Sequence, residues 1–437
     1  MANSYLSSNT GTATNAKKFT YSVWLKRSKI SSEQRFYQGY KDSNNRAYAV
    51  FLSSDKLRVY NMTSSNIELY WDSTRVFRDT NAWYHIVLSA DSTQAAQADR
   101  FKVYVNGVEE TDFTKSYNPG QNIDWGNQLA QTNGDLTISG TESQTQLFEG
   151  YMAHAAFVDG TALTPTSFGE TDSTSGIWKF KSPTGITWGD NGYHLKLENS
   201  ANLGLDSSGN TNNFTVNGDL KQALDTPSNV HATLNPLIKS GYTITYSNGS
   251  NKATYPSSGW AGTLSTIGVS SGKWYWEGKM NTTGDNNFFG IMGEGVNMAD
   301  TSVHNETTGV VIAKGSGNLN VNNTATASYF SALSNGDIFS CALDLDSGTK
   351  TIQFYKNGVA NGSAVNLPAN MQTGFVFPAF VGNASSNAIN HEVNFGNGFF
   401  GTTAITSAGS NGNGSLFEYD VPSGFYALNT RNINTHG

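Results

Sequence analysis

Phe101-Lys-Val-Tyr-Val-Asn-Gly-Val108 decides the fold class of this sequence, and Ile352-Gln-Phe-Tyr-Lys-Asn-Gly-Val359 repeats its pattern in the second half. Each stretch alternates inward and outward residue types and then reaches Asn-Gly, a pair that tolerates positive φ at both central positions of a type I′ turn. A strand that runs into such a turn is the strongest short-range signal for a β-hairpin. Both halves are therefore predicted to be built from antiparallel sheet.

The length of the chain predicts two domains. It has 437 residues, whereas a single hydrophobic core stops growing near about 250 to 300 residues. Turn-bounded runs of β-branched and aromatic residues occur in both halves, and no segment keeps a convincing helical period. A segment broken by Pro227 and Pro236 separates the halves. We predict an all-β protein with two β-sandwich (jelly-roll) domains in tandem, residues 1–235 and 236–437.

The charge pattern argues against several classes of partner. The formal net charge is −7, and the longest basic runs are pairs such as Lys17-Lys18. Phosphate contacts need a clustered positive face, so we expect no binding to nucleic acid. No apolar stretch approaches the roughly 18 to 20 residues of a membrane span, so we expect no membrane insertion.

The cysteine content and the N-terminus bear on where the protein is made. Cys341 is the single cysteine, which excludes an intramolecular disulfide. The first residues carry neither the basic nor the apolar region of a secretory signal. We therefore expect synthesis and folding in a reducing cytoplasm.

The first half resembles the concanavalin-A-like, laminin-G-like lectin/glucanase superfamily. Four motifs carry the resemblance and follow one another in the expected order: Phe19-Thr-Tyr-Ser-Val-Trp24, Trp83-Tyr-His-Ile-Val87, Val103-Tyr-Val-Asn-Gly-Val108, and the stretch 148–165. The resemblance implies facing strands of a curved jelly roll, in which the last motif is the closing strand.

The second half resembles a SPRY-like sandwich. The motifs that carry this resemblance are Gly272–Glu277, Phe289–Ile291, Gly336–Leu345, Ile352–Val359, Phe377–Phe380 and Val393–Gly396. They cover most of residues 240–400 and imply a second β-sandwich.

With the tail Pro422-Ser-Gly-Phe-Tyr-Ala-Leu-Asn-Thr430, the whole chain resembles structural proteins of marine bacteriophages. The resemblance implies a position on the virion surface after synthesis in the host cytoplasm, with other virion proteins as partners. We expect a non-enzymatic, tail-fibre-like adhesin that binds host surface glycans. The alternatives are a capsid decoration or cement protein and, third, a glycan depolymerase. A homo-oligomer, with a trimer as the first candidate, follows by analogy with viral appendages.

Catalytic patterns are incomplete in this sequence. A glycosidase needs two carboxylates about the scissile bond, and the alternating Glu-x-Asp-x-x-Glu run of the family's enzymes is missing. The nearest fragment is Glu418-Tyr-Asp420. Ser270 lies in a Gly-x-Ser-x-Gly pattern that is followed by a strand, whereas a nucleophile elbow needs a helix there. We therefore expect no enzymatic activity and no catalytic residues.

Sugar binding is the sharper hypothesis. Aromatic faces stack on sugar rings, and Asn, Asp and Gly in loops supply hydrogen bonds to hydroxyls. Tryptophans and acids beside loops are therefore the candidate glycan contacts, with core or edge packing as the alternative for each Trp: Trp71, Asp72, Asp124, Trp125, Trp188 and Trp260.

One loop offers oxygen ligands for calcium. Asp206-Ser-Ser-Gly-Asn210 has a carboxylate and an amide about a glycine, and lectin-like sandwiches often hold Ca²⁺ in such loops. Asp206 and Asn210 are the candidate ligands, and an Asx turn is the alternative. No other cofactor is expected.

Overall fold

The computed structural model describes residues 3–125, 134–238, 240–256, 259–281, 286–300, 303–307, 309–383 and 389–437. The chain divides into two compact units, Met1–Gln222 and Ala223–Gly437. This break lies upstream of the boundary at residue 235 that the prolines suggest. Both units consist mainly of strands in antiparallel pairs, with the strands Lys273–Met280 and Tyr426–Ala427 as a parallel pair, which confirms the predicted all-β class.

The strands of the first unit are β1 (Tyr5–Asn9), β2 (Lys18–Arg27), β3 (Gln34–Asp42), β4 (Asn45–Phe51), β5 (Lys56–Thr63), β6 (Asn66–Val76), β7 (Tyr84–Asp91), β8 (Phe101–Val105), β9 (Val108–Glu109), β10 (Phe113–Tyr117), β11 (Asp135–Ile138), β12 (Gly150–Asp159), β13 (Gly169–Thr171), β14 (Trp178–Phe180), β15 (Tyr193–Leu195) and β16 (Thr215–Asn217). Short 3₁₀ turns lie at Gln97–Asp99 and Pro165–Ser167.

Two sheets of the first unit enclose its core. The larger has eight strands in the order β10-β6-β5-β4-β3-β11-β1-β16, and the smaller has six in the order β15-β12-β2-β7-β8-β9. Tyr21 and Leu25 from the smaller sheet and Leu57 and Trp71 from the larger one belong to the same buried cluster. Because side chains alternate along a strand, the other half of the residues on the larger sheet points away from this core.

The outer side of the smaller sheet is covered by the hairpin of β13 and β14. Trp24 stacks on His85 with the ring centroids 4.6 Å apart, and the indole N–H of Trp178 donates to His85 Nδ1 at 2.9 Å. This cover explains why β2 is buried along nearly its whole length.

The strands of the second unit are β17 (Thr245–Ser247), β18 (Lys252–Thr254), β19 (Ala261–Leu264), β20 (Lys273–Met280), β21 (Asn287–Gly293), β22 (Val310–Lys314), β23 (Leu319–Val321), β24 (Thr324–Thr326), β25 (Ile338–Asp344), β26 (Thr351–Lys356), β27 (Val359–Ala360), β28 (Val365–Asn366), β29 (Val376–Gly382), β30 (Asn390–Asn394), β31 (Phe399–Phe400), β32 (Thr403–Ala404) and β33 (Tyr426–Ala427). Short 3₁₀ turns lie at Val303–Asn305 and Ala369–Met371, and helix α1 spans Thr430–His436.

The second unit is also a sandwich. One sheet follows the order β17-β18-β30-β20-β25-β26-β27, with β28 and β33 paired to β26 and β20, and the facing sheet follows β19-β29-β21-β22-β23-β24. Trp274 and Trp276 on β20 share a buried cluster with Phe289 on β21, so the core lies between the sheets. Both tryptophans are fully buried, as their alternation in the strand predicts.

Both Asn-Gly turns have the predicted conformation. The φ angles are 49° and 82° at Asn106 and Gly107, and 47° and 78° at Asn357 and Gly358. Two successive positive values define the type I′ turn. The hairpins β8–β9 and β26–β27 are thereby confirmed.

Helix α1 is an element that the sequence analysis missed. It is only seven residues long, and its start is fixed by Asn429, whose side chain accepts a hydrogen bond from the backbone N–H of Asn432. So short a helix leaves almost no periodic signal in the sequence. Among the described residues no helix has the length and apolar character to cross a membrane.

Candidate functional site

The outward side of the larger sheet in the first unit carries a row of tyrosines. Tyr48 on β4 pairs with Tyr60 on β5, and Tyr60 pairs with Tyr70 on β6. Their strand neighbours Ala47, Ala49, Val59, Leu69 and Trp71 are buried in the core. Because successive residues in a strand point to opposite sides, the three tyrosines lie together on the outer side.

The tyrosine rings contact one another across the strands. The rings of Tyr48 and Tyr60 are stacked, with centroids 4.9 Å apart and planes 14° apart. Tyr70 meets Tyr60 edge-on at 6.0 Å. Tyr48 and Tyr70 remain half-buried, whereas Tyr60 between them is only 5% exposed. Tyr48 and Tyr70 thus offer the accessible aromatic surface of the row.

Three arginines interleave with this row. The guanidinium carbon lies 4.0 Å from the Tyr48 ring centroid for Arg35, 4.4 Å from the Tyr70 centroid for Arg58, and 5.9 Å from the Tyr60 centroid for Arg46. These distances suit cation–π contacts. We call this surface the tyrosine–arginine face, and it consists of Arg35, Arg46, Tyr48, Arg58, Tyr60 and Tyr70.

Asp72, one of the predicted glycan contacts, supports this face from β6. Its two carboxylate oxygens accept hydrogen bonds from Arg58 Nε at 2.7 Å and Arg58 Nη2 at 2.8 Å. This pairing raises the pKa of Arg58 above its usual value. Asp72 therefore orients Arg58, and its role as a glycan contact stays a prediction.

Trp71 and Trp125 were predicted as glycan contacts, but the structure places both of them in the core. Trp71 is 2% exposed, with its ring 5.5 Å from that of Phe113, and Trp125 is fully buried against Phe19 and Phe101. Neither ring has a face for a ligand. Asp124 is exposed, and one of its carboxylate oxygens lies 3.4 Å from Lys17 Nζ.

The other two predicted tryptophans keep part of their surface accessible. Trp188 is half-buried and stacks on His194 at 5.7 Å. Trp260, in the second unit, is also half-buried, and its ring stacks on Phe288 at 5.1 Å and on His304 at 3.8 Å. In both cases histidine already covers one face of the indole.

The loop predicted for calcium is an Asx turn held by protein donors. Asp206 Oδ1 accepts from the backbone N–H groups of His194 and Ser208, and Oδ2 accepts from the Ser208 hydroxyl and the Asn212 N–H. The Asn210 side-chain amide donates to the carbonyls of Gly189 and Gly192. Four donors on one carboxylate favour the structural alternative over a metal ligand. Within the described ranges, no three His, Cys, Asp or Glu side chains gather as a metal site.

A cleft of about 290 Å³ lies beside that loop. Residues 8–12 form one wall, and Asp190, Asn191, Tyr193 and Asn212 line the other. Asn191 ties the walls together, because its Oδ1 accepts from Gly11 N at 2.7 Å and its Nδ2 donates to Gly11 O at 3.2 Å. The polar lining suits a small hydrophilic group.

The residues with catalytic patterns have structural contacts. Glu418 accepts hydrogen bonds from the backbone N–H and the hydroxyl of Thr406, and Asp420 accepts from the Ser410 N–H. Ser270 is exposed and lies in a bend before β20, with no helix after it. The hydrogen bonds of Glu418 and Asp420 connect neighbouring loop segments. Neither residue is placed by these bonds as half of an acid–base pair.

Comparison with known proteins finds a different family model in each of the two units. Residues 1–167 match the family model described as the concanavalin A-like lectin/glucanases superfamily, and residues 273–397 match the SPRY domain. The chain carries a laminin-G-like domain and a SPRY domain. Both are binding-type domains rather than typical enzymes, so a binding or adhesion role follows for the chain.

Solved structures are similar to parts of the chain. The SPRY domain of human HERC1 is 21% identical and covers 37% of this chain and 96% of its own, with a TM-score of 0.30. A heptameric SAP-like pentraxin from Limulus polyphemus is 13% identical, with 49% and 89% coverage and a TM-score of 0.30. The TRIM65 PSpry domain is 14% identical, with 37% and 91% coverage and a TM-score of 0.29. No curated protein matches the chain.

The tyrosine–arginine face lies within the residues of the laminin-G-like match, whereas Asp190, Tyr193 and Asn212 of the cleft lie beyond residue 167. Sequence reasoning missed the tyrosines of the face. A signal existed, because Tyr48 and Tyr60 lie at polar-side positions of predicted strands where a solvated sheet would carry small polar residues.

Proposed function

We propose that this chain is a non-enzymatic adhesin of a virion surface and that its laminin-G-like domain binds host surface glycans through the tyrosine–arginine face. The observation that carries the proposal is the row of Tyr48, Tyr60 and Tyr70 with three arginines interleaved. The virion setting, the other virion proteins as partners and the homo-oligomer rest on the resemblance to phage structural proteins.

The chemistry of the face fits a carbohydrate. The accessible parts of Tyr48 and Tyr70 present apolar area to a sugar beside the rings and guanidinium groups that already pack on them, and the tyrosine hydroxyls can exchange hydrogen bonds with sugar hydroxyls. Guanidinium groups add fixed, directional donors. Three neighbouring strands span about 10 Å at the usual strand spacing, so the row extends along a line and suits a chain of sugars.

A glycan array with the full chain tests the binding. We expect one class of glycans to be retained and the double variant Tyr48→Ala/Tyr70→Ala to lose it. Tyr104→Ala is the matched control, because Tyr104 is a half-buried tyrosine on β8 of the other sheet. Unchanged binding by the double variant, or equal loss in the control, would refute the role of the face.

Immunogold labelling of the source virus tests the setting. Label confined to the tail end agrees with an adhesin. Label over the head would instead favour the decoration protein, and unlabelled intact particles would refute the virion setting altogether.

A further inference from the structure

The charges on the tyrosine–arginine face are not balanced. Asp72 neutralises Arg58, as described above. Arg35 donates through Nη1 to the neutral amide oxygen of Gln38, and Arg46 lies over the Tyr60 ring. In the part of the chain that the structure describes, neither Arg35 nor Arg46 has a carboxylate oxygen within 4.0 Å. Their Nε groups are also buried without a hydrogen-bond partner.

The three guanidinium groups lie along one row of rings, over Tyr48, Tyr70 and Tyr60, and all three act on the Tyr48 hydroxyl. Burial raises the pKa of the Tyr48 hydroxyl, and Arg35, Arg58 and Arg46 all act on it in the opposite direction. Burial lowers the pKa of Arg35, and the positive charge of Arg46 lowers it further, so the two guanidinium groups repel each other. Like charges held together without a counter-ion favour the binding of an anion.

The nearby carboxylates do not fill this role. Glu33 and Glu142 act on Arg35 from a distance, and Glu142 is already held by the side-chain amide of Gln38. Glu68 lies on β6, where burial raises its pKa, and no arginine contributes to that shift. Among the described residues, Arg46 is the cation of the face without a hydrogen-bonded side-chain acceptor, whereas Arg35 has Gln38 and Arg58 has Asp72.

Resting on the proposed function, we infer that the ligand of the tyrosine–arginine face is an acidic polysaccharide. One of its anionic groups, a uronate carboxylate or a sulfate ester, docks over the Tyr48 hydroxyl among Arg35, Arg46 and Arg58. The neighbouring sugar stacks on Tyr70. Since the chain carries a net charge of −7, a polyanion is not attracted by the protein as a whole, and its binding must come from this local cluster.

The experiment measures binding of three polymers to the full chain by calorimetry: polygalacturonate, dextran sulfate and uncharged dextran. We expect one acidic polymer to bind, to weaken as salt rises, and to outcompete dextran. Binding of polygalacturonate would identify the recognised anion as a carboxylate, and binding of dextran sulfate would identify it as a sulfate ester. Arg46→Gln should weaken the binding about tenfold or more, as expected for loss of one charge-assisted contact.

Arg431→Gln is the matched control, because Arg431 is an exposed arginine of the second unit and the charge change is identical. Thermal melting verifies that both variants fold. Two results overturn the inference: equal loss of binding in the control, or equally tight binding of a single-stranded oligonucleotide.

The proposed function fails separately from the inference. If neutral glycans bind, Tyr48→Ala/Tyr70→Ala abolishes that binding and Arg46→Gln leaves it intact, the face is a glycan site and the acidic specificity is wrong. If neither acidic nor neutral glycans bind, both are wrong.

Discussion

Asn106 and His85 exchange two hydrogen bonds of 2.8 Å: the backbone N–H of Asn106 donates to His85 O, and the backbone N–H of His85 donates to Asn106 Oδ1. Asn357 and Ile338 repeat the arrangement in the second unit at 2.8 Å and 2.9 Å. The asparagine of each turn therefore does more than accept a positive φ. Its side chain also accepts a hydrogen bond from a backbone N–H at the start of the neighbouring strand, β7 in the first unit and β25 in the second.

Asn106→Ala should destabilise the first unit by about 1 to 3 kcal/mol, because it leaves the His85 N–H without its acceptor and places a Cβ-bearing residue without a local hydrogen bond at positive φ. Urea unfolding of the full chain measures the change. Asn106→Asp keeps the side-chain acceptor and should lose less than half as much. Equal losses in the two variants would show that the acceptor is unimportant.

Three histidines of the first unit should make it sensitive to acid. Burial lowers the pKa of His85 and His154 to about 3 and that of His194 to about 4. The unfolded chain protonates near 6.5, so it takes up protons before the folded state does. Stability present above pH 6.5 is therefore lost as the pH falls towards 4, at about 1.4 kcal/mol per pH unit for each imidazole.

His154→Phe tests this slope by removing one imidazole while keeping a ring against Phe180, whose centroid lies 3.6 Å from that of His154. Unfolding free energies between pH 4.5 and 7.5 should then depend less steeply on pH. His436→Phe in the second unit should leave the slope of the first unit unchanged. An unaltered slope in His154→Phe would contradict the assignment.

Glu277 should contribute a dependence of the opposite sign in the second unit, where burial lowers the pKa of His304 to about 4 and that of His391 to about 3 and so adds the same acid sensitivity as in the first unit. Glu277 is fully buried, and its carboxylate accepts from the backbone N–H groups of Glu418 and Tyr419, both at 2.9 Å. Burial raises its pKa from 4.5 to about 7. Because the folded pKa exceeds the unfolded one, the stabilisation is complete below about pH 4.5 and is lost as the pH rises through 7.

Glu277→Gln should remove this contribution, so that stability rises more steeply with pH between 5 and 6.5 than in the wild type, where Glu277 opposes His304 and His391. Glu392→Gln on neighbouring β30 is the control and should keep the wild-type dependence. Calorimetric unfolding of the full chain measures both. A wild-type pH profile in Glu277→Gln would rule out titration of this group.

The parts of the fold that follow from local chemistry could be predicted, whereas the contacts within the face could not, although the positions of Tyr48 and Tyr60 in their strands gave a signal. Asn-Gly fixes its own φ angles, so both hairpins were predictable. Trp71 and Asp72 are neighbours in the sequence and were predicted for the same reason. Because successive residues of β6 point to opposite sides of the sheet, Trp71 lies in the core and Asp72 pairs with Arg58 on the outer side. Tyr48, Tyr60 and Tyr70 meet only because of cross-strand register, and that register includes a shift between Asn61 and Met62 that no local pattern indicates.

Asn191 should control the wall of the cleft formed by residues 8–12. Its side chain both accepts from and donates to the backbone of Gly11, so Asn191→Ala removes two hydrogen bonds at once. We expect faster amide hydrogen exchange in residues 9–12 and a loss of about 1 to 2 kcal/mol in stability.

Asn191→Asp keeps the acceptor for Gly11 N but places a carboxylate oxygen against Gly11 O, so it should not restore protection. Exchange mass spectrometry with Asn210→Ala as the comparison localises the effect, because Asn210 binds the opposite wall through Gly189 and Gly192. If Asn210→Ala exposed residues 9–12 as much as Asn191→Ala does, the wall would depend on the loop as a whole and not on this one side chain.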